Sequence, residues 1–315
     1  MSPDAATPDQ QTAMPAGIDA AGLRLMRIAS VASVSVAMVL IVAKLGAWAV
    51  TESVSLLSTL MDSVLDVLAS LVNLFAIYHA TQPADREHRF GHGKAEPLAG
   101  LAQAAFICGS GLFLLIEAGD RILHPRPVAQ PEVGYAVMIF AIVLTLVLVA
   151  FQKYVVRRTG SVAIDADSLH YQTDVMINAS VIVSLYVASE MSWPYADPLF
   201  AVAIAAYIVW GAWSIGKKAL HILMDHELPD TDRQRIRELA MAHPEVRGVH
   251  DMRTRSSGLE VFIQLHLEMD GDMRLNQAHE ISDAVEAEIM AAFPNSQVII
   301  HEDPEGLEED HAVYR

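Results

Sequence analysis

The sequence contains very little cysteine. Its single thiol, Cys108, cannot form a disulfide within the chain, and it cannot supply a cluster of thiolate ligands for a metal. Cys108 lies in an apolar helical pattern, so we expect it to serve in packing. Disulfide scaffolds and cysteine-based zinc sites are therefore excluded.

Basic residues are also scarce. The chain has 21 Lys and Arg against 38 Asp and Glu, a formal net charge of -17. Residues 225–315 carry 21 of these acids and 8 of the bases. We predict that this C-terminal part is a separate, acidic, water-facing unit, which repels nucleic acid and attracts cations. An acidic surface that merely keeps a domain soluble is the alternative.

The N-terminal segment lacks the basic start and the apolar core of a signal peptide. Residues 1–20 are polar and include Pro3, Pro8 and Pro15, which predicts a disordered tail. Residues 305–315 are rich in acids and predict a second loose tail.

Long apolar runs, by contrast, are abundant. Hydrophobic residues make up 53% of the chain, too many for an ordinary soluble domain. Each of six runs is long enough to cross a bilayer, which predicts an α-helical transmembrane domain over residues 21–224. The runs lie near residues 25–50, 54–80, 98–123, 132–156, 168–189 and 197–221.

The distribution of Lys and Arg predicts the orientation of these spans. Positive residues mark the cytoplasmic loops of membrane proteins, and four groups of them fall on one side of a six-span chain. The opposite side has only Arg121 and Arg126. Both termini are therefore predicted to be cytoplasmic. The four groups are Arg24 and Arg27; Arg86, Arg89 and Lys94; Lys153, Arg157 and Arg158; and Lys217 and Lys218.

The pattern changes beyond residue 225. Residues 230–241 and 276–293 have helical periodicity, whereas residues 247–255, 260–268 and 297–301 resemble strands. The order helix, strand, strand, helix, strand predicts a small α+β domain over residues 225–304, with its helices on one face of the sheet.

Two pairs of ionisable residues interrupt the predicted spans. Asp62 and Asp66 lie four residues apart in the second run, and His170 and Asp174 lie four residues apart in the fifth. Charges inside a bilayer are costly and rare, and this spacing puts each pair on one face of a helix. Three carboxylates and one imidazole could form a tetrahedral site for a divalent metal, which indicates metal transport. A hydrogen-bonded polar cluster is the alternative.

Two further groups have metal-ligand chemistry. The loop after the second span contains Asp85, His88 and His92, a close spacing of oxygen and nitrogen ligands that is a weak signal by itself. The C-terminal domain contains four imidazoles and a carboxylate that could converge at one end of the sheet, although surface histidines are the alternative. These residues are His250, His266, His279, His301 and Asp303.

Other functional classes fit less well. An intramembrane metalloprotease needs a His-Glu-x-x-His helix or a similar motif, which the sequence lacks, so we predict that the chain is not an enzyme. A membrane-tethered metal sensor has no use for Asp62 and His170 within the bilayer, although it stays the second hypothesis. A channel is less consistent with tight four-ligand binding.

Five motifs resemble those of the cation diffusion facilitator family, over about residues 20–304. The resemblance implies that the cytoplasmic domain folds like a copper metallochaperone. The resemblance implies a homodimer, with Lys94 and Asp225 forming an interlocking salt bridge near the membrane surface. The motifs cover residues 61–66, 82–85 with 90–96, 169–174, 250–255 and 299–304.

The resemblance also implies three metal sites. Asp62, Asp66, His170 and Asp174 match the transport site, and Asp85, His88 and His92 match a site in the loop. A binuclear site at the cytoplasmic dimer interface matches His250, His266, His279, His301 and Asp303.

We therefore expect an efflux transporter of zinc or iron(II), with cadmium as a further substrate, in the bacterial inner membrane. Metal would be exchanged for protons by alternating access within membrane lipid. Zinc or iron(II) would also serve as a structural and regulatory ion that stabilises the dimer.

Overall fold

The computed structural model describes residues 19–51, 54–123, 132–191 and 196–306. The chain divides into two compact units, one formed by Ala20–Met224 and the other containing residues from Asp225 onward. The first holds the apolar runs and the second holds the acidic C-terminal part.

The first unit is built from long α-helices. Among the described residues, five helices are long and apolar enough to cross a membrane. This confirms the predicted helical transmembrane domain. The helices are α1 (Ala20–Thr51), α2 (Val54–Ala80), α3 (Ala95–Leu123), α4 (Glu132–Thr159), α5 (Val162–Met191) and α6 (Ala196–Leu223).

α5 is the long helix that is not among these five. Its 30 residues are enough to span a bilayer, but Asp165, Asp167 and Asp174 reduce its apolar character. Asp167 is fully buried and His170 is 7% exposed. The polar residues of α5 therefore face neighbouring helices, so α5 has an interior position in the bundle.

Packing against α3 and α6 sets the rotation of α5. Leu169 is buried in a cluster with Ile107 of α3 and Ile208 of α6. A Cβ atom on Gly211 of α6 would lie 2.9 Å from a Leu169 methyl carbon, so the two helices approach closely here. Because adjacent helical residues differ by about 100° in direction, His170 then faces a different neighbour, α2.

The second unit is a three-stranded sheet with two helices. The strand order is β1-β2-β3, with β1 antiparallel and β3 parallel to the central β2. The predicted α+β arrangement is confirmed. Its elements are α7 (Asp230–Met241), β1 (Gly248–Ser256), β2 (Val261–Met269), α8 (Leu275–Ala292) and β3 (Ser296–Pro304).

Strand alternation separates the two faces of β2. Ile263, Leu265 and Leu267 are almost fully buried, and they form one core with Ile236 of α7 and Ile289 of α8. The residues between them, including His266, point to the other face. The helices therefore cover one side of the sheet and leave the histidine-bearing side open.

Candidate metal centres

Three ionisable side chains converge between α2 and α5. His170 Nε2 lies 3.0 Å from Asp66 Oδ1 and 4.0 Å from Asp174 Oδ2. One ligand atom from each residue lies within 4.8 Å of the other two. The side chain of His170 is 9% exposed and that of Asp66 is 18% exposed, so the group is largely shielded. The i, i+4 spacing in α5 and the contact with α2 produce this arrangement.

Asp62, the fourth predicted ligand of this site, lies in α2 one turn before Asp66. Its side chain lies outside the described part of the chain. The structure therefore shows three of the four predicted ligands together, and the role of Asp62 stays a prediction.

A hydrogen-bonded layer surrounds these three residues. The Tyr171 hydroxyl lies 2.8 Å from Ser70 Oγ of α2, and it donates to the backbone oxygen of Ser33 in α1 at 3.1 Å. Phe106 of α3 places its ring 6.2 Å from the His170 ring. The sequence prediction did not include Ser70 or Tyr171, because hydroxyl groups in apolar runs have no characteristic spacing.

A second buried carboxylate, Asp167, was also missed. It lies in α5 one turn before His170 and accepts hydrogen bonds from side chains of three other helices. The distances to Asp167 are 2.5 Å from Ser33 Oγ, 3.0 Å from Gln103 Nε2 and 2.6 Å from Gln152 Nε2. Its three-residue spacing from His170 was the available signal, since it places both residues on one stripe of α5.

The loop between α2 and α3 brings together the second predicted set. Asp85 Oδ1 lies 3.4 Å from His88 Nδ1, and Asp85 Oδ2 lies 3.4 Å from His92 Nε2. His79, at the end of α2, was not predicted to belong to this group, yet its ring centroid is 4.6 Å from that of His92. The three predicted residues could hold a metal through one oxygen and two nitrogen atoms.

Backbone hydrogen bonds prepare Asp85 for this role. The His88 N–H donates to its carboxylate at 2.6 Å and the Glu87 N–H at 2.9 Å. The His88 N–H lowers the pKa of Asp85 most, with help from Glu87 and despite some desolvation. Asp85 therefore stays ionised in mild acid, and release of a metal on acidification would depend on its imidazole partners.

Three histidines form a row across the sheet of the second unit. His250 of β1 pairs with His266 of β2, which pairs with His301 of β3. The His266 ring lies 5.1 Å from that of His250 and 4.6 Å from that of His301. The register of the strands, which no sequence spacing reveals, brings these residues together on the open face.

Asp303 is the common partner of this row. One of its oxygens lies 3.2 Å from His250 Nε2 and 2.8 Å from His266 Nδ1, and the other lies 3.3 Å from His301 Nε2. The Asp303 side chain is only 4% exposed. His250, His266 and Asp303 could hold a metal, and His301, whose side chain is 62% exposed, lies at the edge of the group.

His279 is not brought into this group. It lies on α8, where its ring nitrogen is 3.6 Å from Asp283, and its side chain is 70% exposed. A partner subunit could complete a site that includes His279, so its role as a ligand stays a prediction.

Two acidic residues beside the row were missed. Glu268 lies 3.0 Å from His250 Nδ1, and Asp251 lies 3.8 Å from His266 Nε2. Glu268 follows His266 by two residues and so shares its face of β2, a signal present in the sequence. Asp251 has a φ of 41° at an irregularity between His250 and Arg253, which the sequence did not indicate.

The predicted pairing of Lys94 with Asp225 joins residues of different units and stays a prediction. Within the second unit, Asp225 lies 3.2 Å from Arg255. Any pairing with Lys94 would therefore share or replace this contact.

The three groups have a common chemistry. Each combines imidazole nitrogen with carboxylate oxygen, a ligand set that suits zinc and iron(II). The group between α2 and α5 differs from the others in its location, because a charged ligand set within an apolar bundle marks an ion pathway.

Comparison with known families covers most of the chain. The cation efflux transmembrane domain matches residues 30–224, and the cytoplasmic domain of cation efflux proteins matches residues 228–305. These two matches follow the same division as the two units of the structure.

The chain is similar to individual proteins of known name. The cation-efflux pump FieF of Shewanella oneidensis is 49% identical over 283 residues, which cover 90% of this chain and 95% of the pump. FieF of Salmonella choleraesuis is 47% identical, with 89% and 93% covered. A solved metal-bound C-terminal domain of the CzcD transporter from Thermotoga maritima is 29% identical, covering 25% of this chain and 93% of that domain, with a TM-score of 0.24.

Proposed function

The chain belongs to the cation efflux family, and on this premise we propose that it exports divalent metal ions across a membrane in exchange for protons. Zinc and iron(II) are the proposed substrates, with cadmium as a further one. The observation that carries the proposal is the shielded group of Asp66, His170 and Asp174 between the candidate membrane span α2 and the long helix α5. Such a group has no evident use in a protein that only senses metal outside the bilayer.

The ligand set explains why metal and protons would compete. Metal binding requires neutral imidazole and ionised carboxylates, so each metal that binds displaces protons. His170 lies 3.0 Å from Asp66 and 4.0 Å from Asp174, so a proton on its imidazole could take the place of a bound cation between these carboxylates. Protons from outside would displace the metal, and cytoplasmic metal would displace the protons, in an alternating-access cycle.

The sheet of the second unit would hold a regulatory ion. His250, His266 and Asp303 offer two nitrogen atoms and one nearly buried carboxylate, a set that fits zinc or iron(II). The positive charge of a metal would offset the burial of Asp303 and of its acidic neighbours. We propose that this ion stabilises a homodimer through the second unit, with His279 and the pair Lys94 and Asp225 contributing at the dimer contacts.

The loop group of Asp85, His88 and His92 would hold a further ion. The proposed location is the bacterial inner membrane with both termini in the cytoplasm, since the basic groups lie on one side of the spans.

Uptake of zinc into proteoliposomes with an imposed pH gradient tests the transport proposal. Asp66→Ala should abolish gradient-driven uptake. Asp165→Ala is the matched control, because Asp165 pairs with Lys153 outside the metal group and should tolerate the change.

Three outcomes decide between the alternatives. Uptake that persists after the gradient is collapsed would refute proton exchange. Equal uptake by Asp66→Ala and by the unmodified protein would exclude the α2–α5 group as the transport site. Tight zinc binding without uptake by either protein would support the sensor hypothesis.

A further inference from the structure

Asp167 is a fully buried carboxyl group whose hydrogen-bond partners, among the described residues, are uncharged side chains. α1, α3 and α4 present Ser33, Gln103 and Gln152 to it, none of which titrates. Within the described residues, no lysine or arginine forms an ion pair with Asp167. The titratable groups near it are His170 and Tyr171, both on α5 itself. A permanently charged carboxylate is therefore poorly compensated at this position.

The hydrogen bonds around Ser33 and Asp167 need one more proton than an ionised Asp167 provides. Ser33 Oγ lies 2.5 Å from Asp167 Oδ2 and 3.1 Å from the backbone oxygen of Ala29. Both partners are acceptors when Asp167 is ionised, but a serine hydroxyl has a single proton to donate. If Asp167 is protonated, it donates to Ser33 Oγ, and Ser33 donates to Ala29, so that both contacts are satisfied.

Gln152 is consistent with the same conclusion. Its amide nitrogen lies 2.6 Å from Asp167 Oδ2, and its amide oxygen is buried without a hydrogen-bond partner among the described residues. The same nitrogen donates to Ser33 Oγ at 2.9 Å, and both contacts stay satisfied when Asp167 donates its own proton to Ser33 Oγ, because an amide nitrogen carries two protons.

A cavity between α2 and α3 lies beside Gln103, a hydrogen-bond partner of Asp167. The cavity has a volume of about 240 Å³, and its lining includes Asn73 and Gln103. Asn73 is 1% exposed, and neither polar atom of its side chain has a hydrogen-bond partner among the described residues. Gln103 lines the cavity and also donates to Asp167, so it connects the two.

We propose that Asp167 carries a proton in the metal-free protein and releases it when metal binds to the group of Asp66, His170 and Asp174. This inference rests on the proposed metal and proton exchange. Asp167 precedes His170 by one turn, about 4.5 Å along the helix axis. A divalent cation beside His170 favours the ionised form of Asp167, so the proton of Asp167 is released to bulk water. The carboxyl group changes from neutral to -1 as the +2 charge arrives, and no other bond changes.

Infrared difference spectra of the full-length protein in lipid, between zinc-free and zinc-saturated states, test this inference. Zinc should remove intensity from the carbonyl band of protonated carboxylic acids. In Asp167→Asn, which should still bind zinc, the zinc-induced decrease of this band should be smaller. The variant should also release about one proton fewer per zinc in weakly buffered solution. Asp165→Asn, two residues away in the same helix, is the matched control and should behave like the unmodified protein.

An identical band loss and proton release in Asp167→Asn and the unmodified protein would overturn the inference. If Asp167→Asn does not fold, Ser33→Ala leaves the carboxyl group in place and removes its nearest partner. The variant should shift the frequency of the carboxylic acid band, whereas an unchanged band would also refute a proton on Asp167. The spectra require no transport. The uptake assay could show that the protein does not exchange protons, while the spectra still show a carboxylic acid band that depends on Asp167. That combination would refute the proposed function and leave the buried proton established.

Discussion

At Asp303, one nearly buried carboxylate contacts three imidazoles from three different strands. Asp303→Asn keeps the size of this side chain and removes its charge. We expect zinc binding to the second unit to weaken by at least about tenfold, because an amide is a poor metal ligand and the histidines lose the acceptor that orients them. Isothermal titration of the full-length protein with zinc would measure the loss.

Glu302→Gln is the matched control for this change. Glu302 neighbours Asp303 in β3 but points to the opposite face of the strand, away from the histidine row. Its substitution should leave zinc affinity unchanged. Equal losses in the two variants would show that net charge, and not the contact between Asp303 and the imidazoles, governs binding.

For individual residues, the sequence predicted the site where spacing along one helix is enough to bring side chains together. His170 and Asp174 are one helical turn apart, so their convergence with Asp66 could be predicted. Asp167 could not be recognised in the same way, because its partners Ser33, Gln103 and Gln152 come from three other helices. Only the packing of the bundle brings these side chains together.

Among the helices, α5 has its N-terminus capped by a carboxylate that belongs to another helix, α3. Glu96, near the start of α3, accepts hydrogen bonds from Ser161 Oγ at 2.7 Å and from the Ala163 N–H at 2.9 Å. This places a carboxylate at the N-terminus of α5, where unpaired N–H groups favour negative charge. Glu96→Gln should lower the free energy of unfolding by about 1–3 kcal/mol, measured by thermal unfolding in detergent.

Glu87→Gln is the comparison for Glu96→Gln. Glu87 is exposed in the loop between α2 and α3, where a side-chain amide costs little. If both variants unfold at the same temperature as the unmodified protein, Glu96 does not stabilise the start of α5.

The close contact between α3 and α5 leads to a prediction about helix packing. A Cβ atom on Gly100 would lie 2.8 Å from a side-chain carbon of Val162 and 3.2 Å from its backbone carbonyl carbon. Gly100→Ala should therefore separate the two helices and lower the free energy of unfolding by about 1–3 kcal/mol. Unfolding in detergent would again measure the change.

Gly109, also in α3, provides the matched control because a Cβ atom there meets nothing within 4 Å. Gly109→Ala should stabilise the helix by up to about 1 kcal/mol, since alanine loses less backbone entropy on folding than glycine. The close approach of α3 and α5 would be contradicted if both substitutions stabilised the protein.

The positions of helices and strands along the chain could be predicted more readily than the contacts between residues of different elements. The predicted helix over residues 230–241 coincides with α7, because its amphipathic pattern and acidic start are local signals. α5 begins at Val162, six residues before the predicted span, because its first residues are too polar to resemble a membrane segment although Asp167 is buried. The row of His250, His266 and His301 depends on strand register, which is decided by contacts distant in sequence.

For the molecule as a whole, charge is divided along the chain in a way that matches its two units. The membrane unit has few charges and shields Asp66, Glu96 and Asp167 between helices, whereas the second unit carries most of the net negative charge. If this acidic domain lies in the cytoplasm, its charge would raise the local concentration of divalent cations around it. This advantage depends on the orientation of the spans, which the basic residues alone predict.

The scarcity of cysteine makes that orientation testable. In a Cys108→Ser background, single cysteines can be introduced as Glu87→Cys, between α2 and α3, and as Gln130→Cys, between α3 and α4. A membrane-impermeant maleimide applied to intact cells should label the cysteine at position 130. The cysteine at position 87 should react only after permeabilisation, because its basic residues predict that the loop between α2 and α3 lies in the cytoplasm. The reverse pattern would place the acidic unit outside the cell, where it could not collect the metal that the proposed exporter removes.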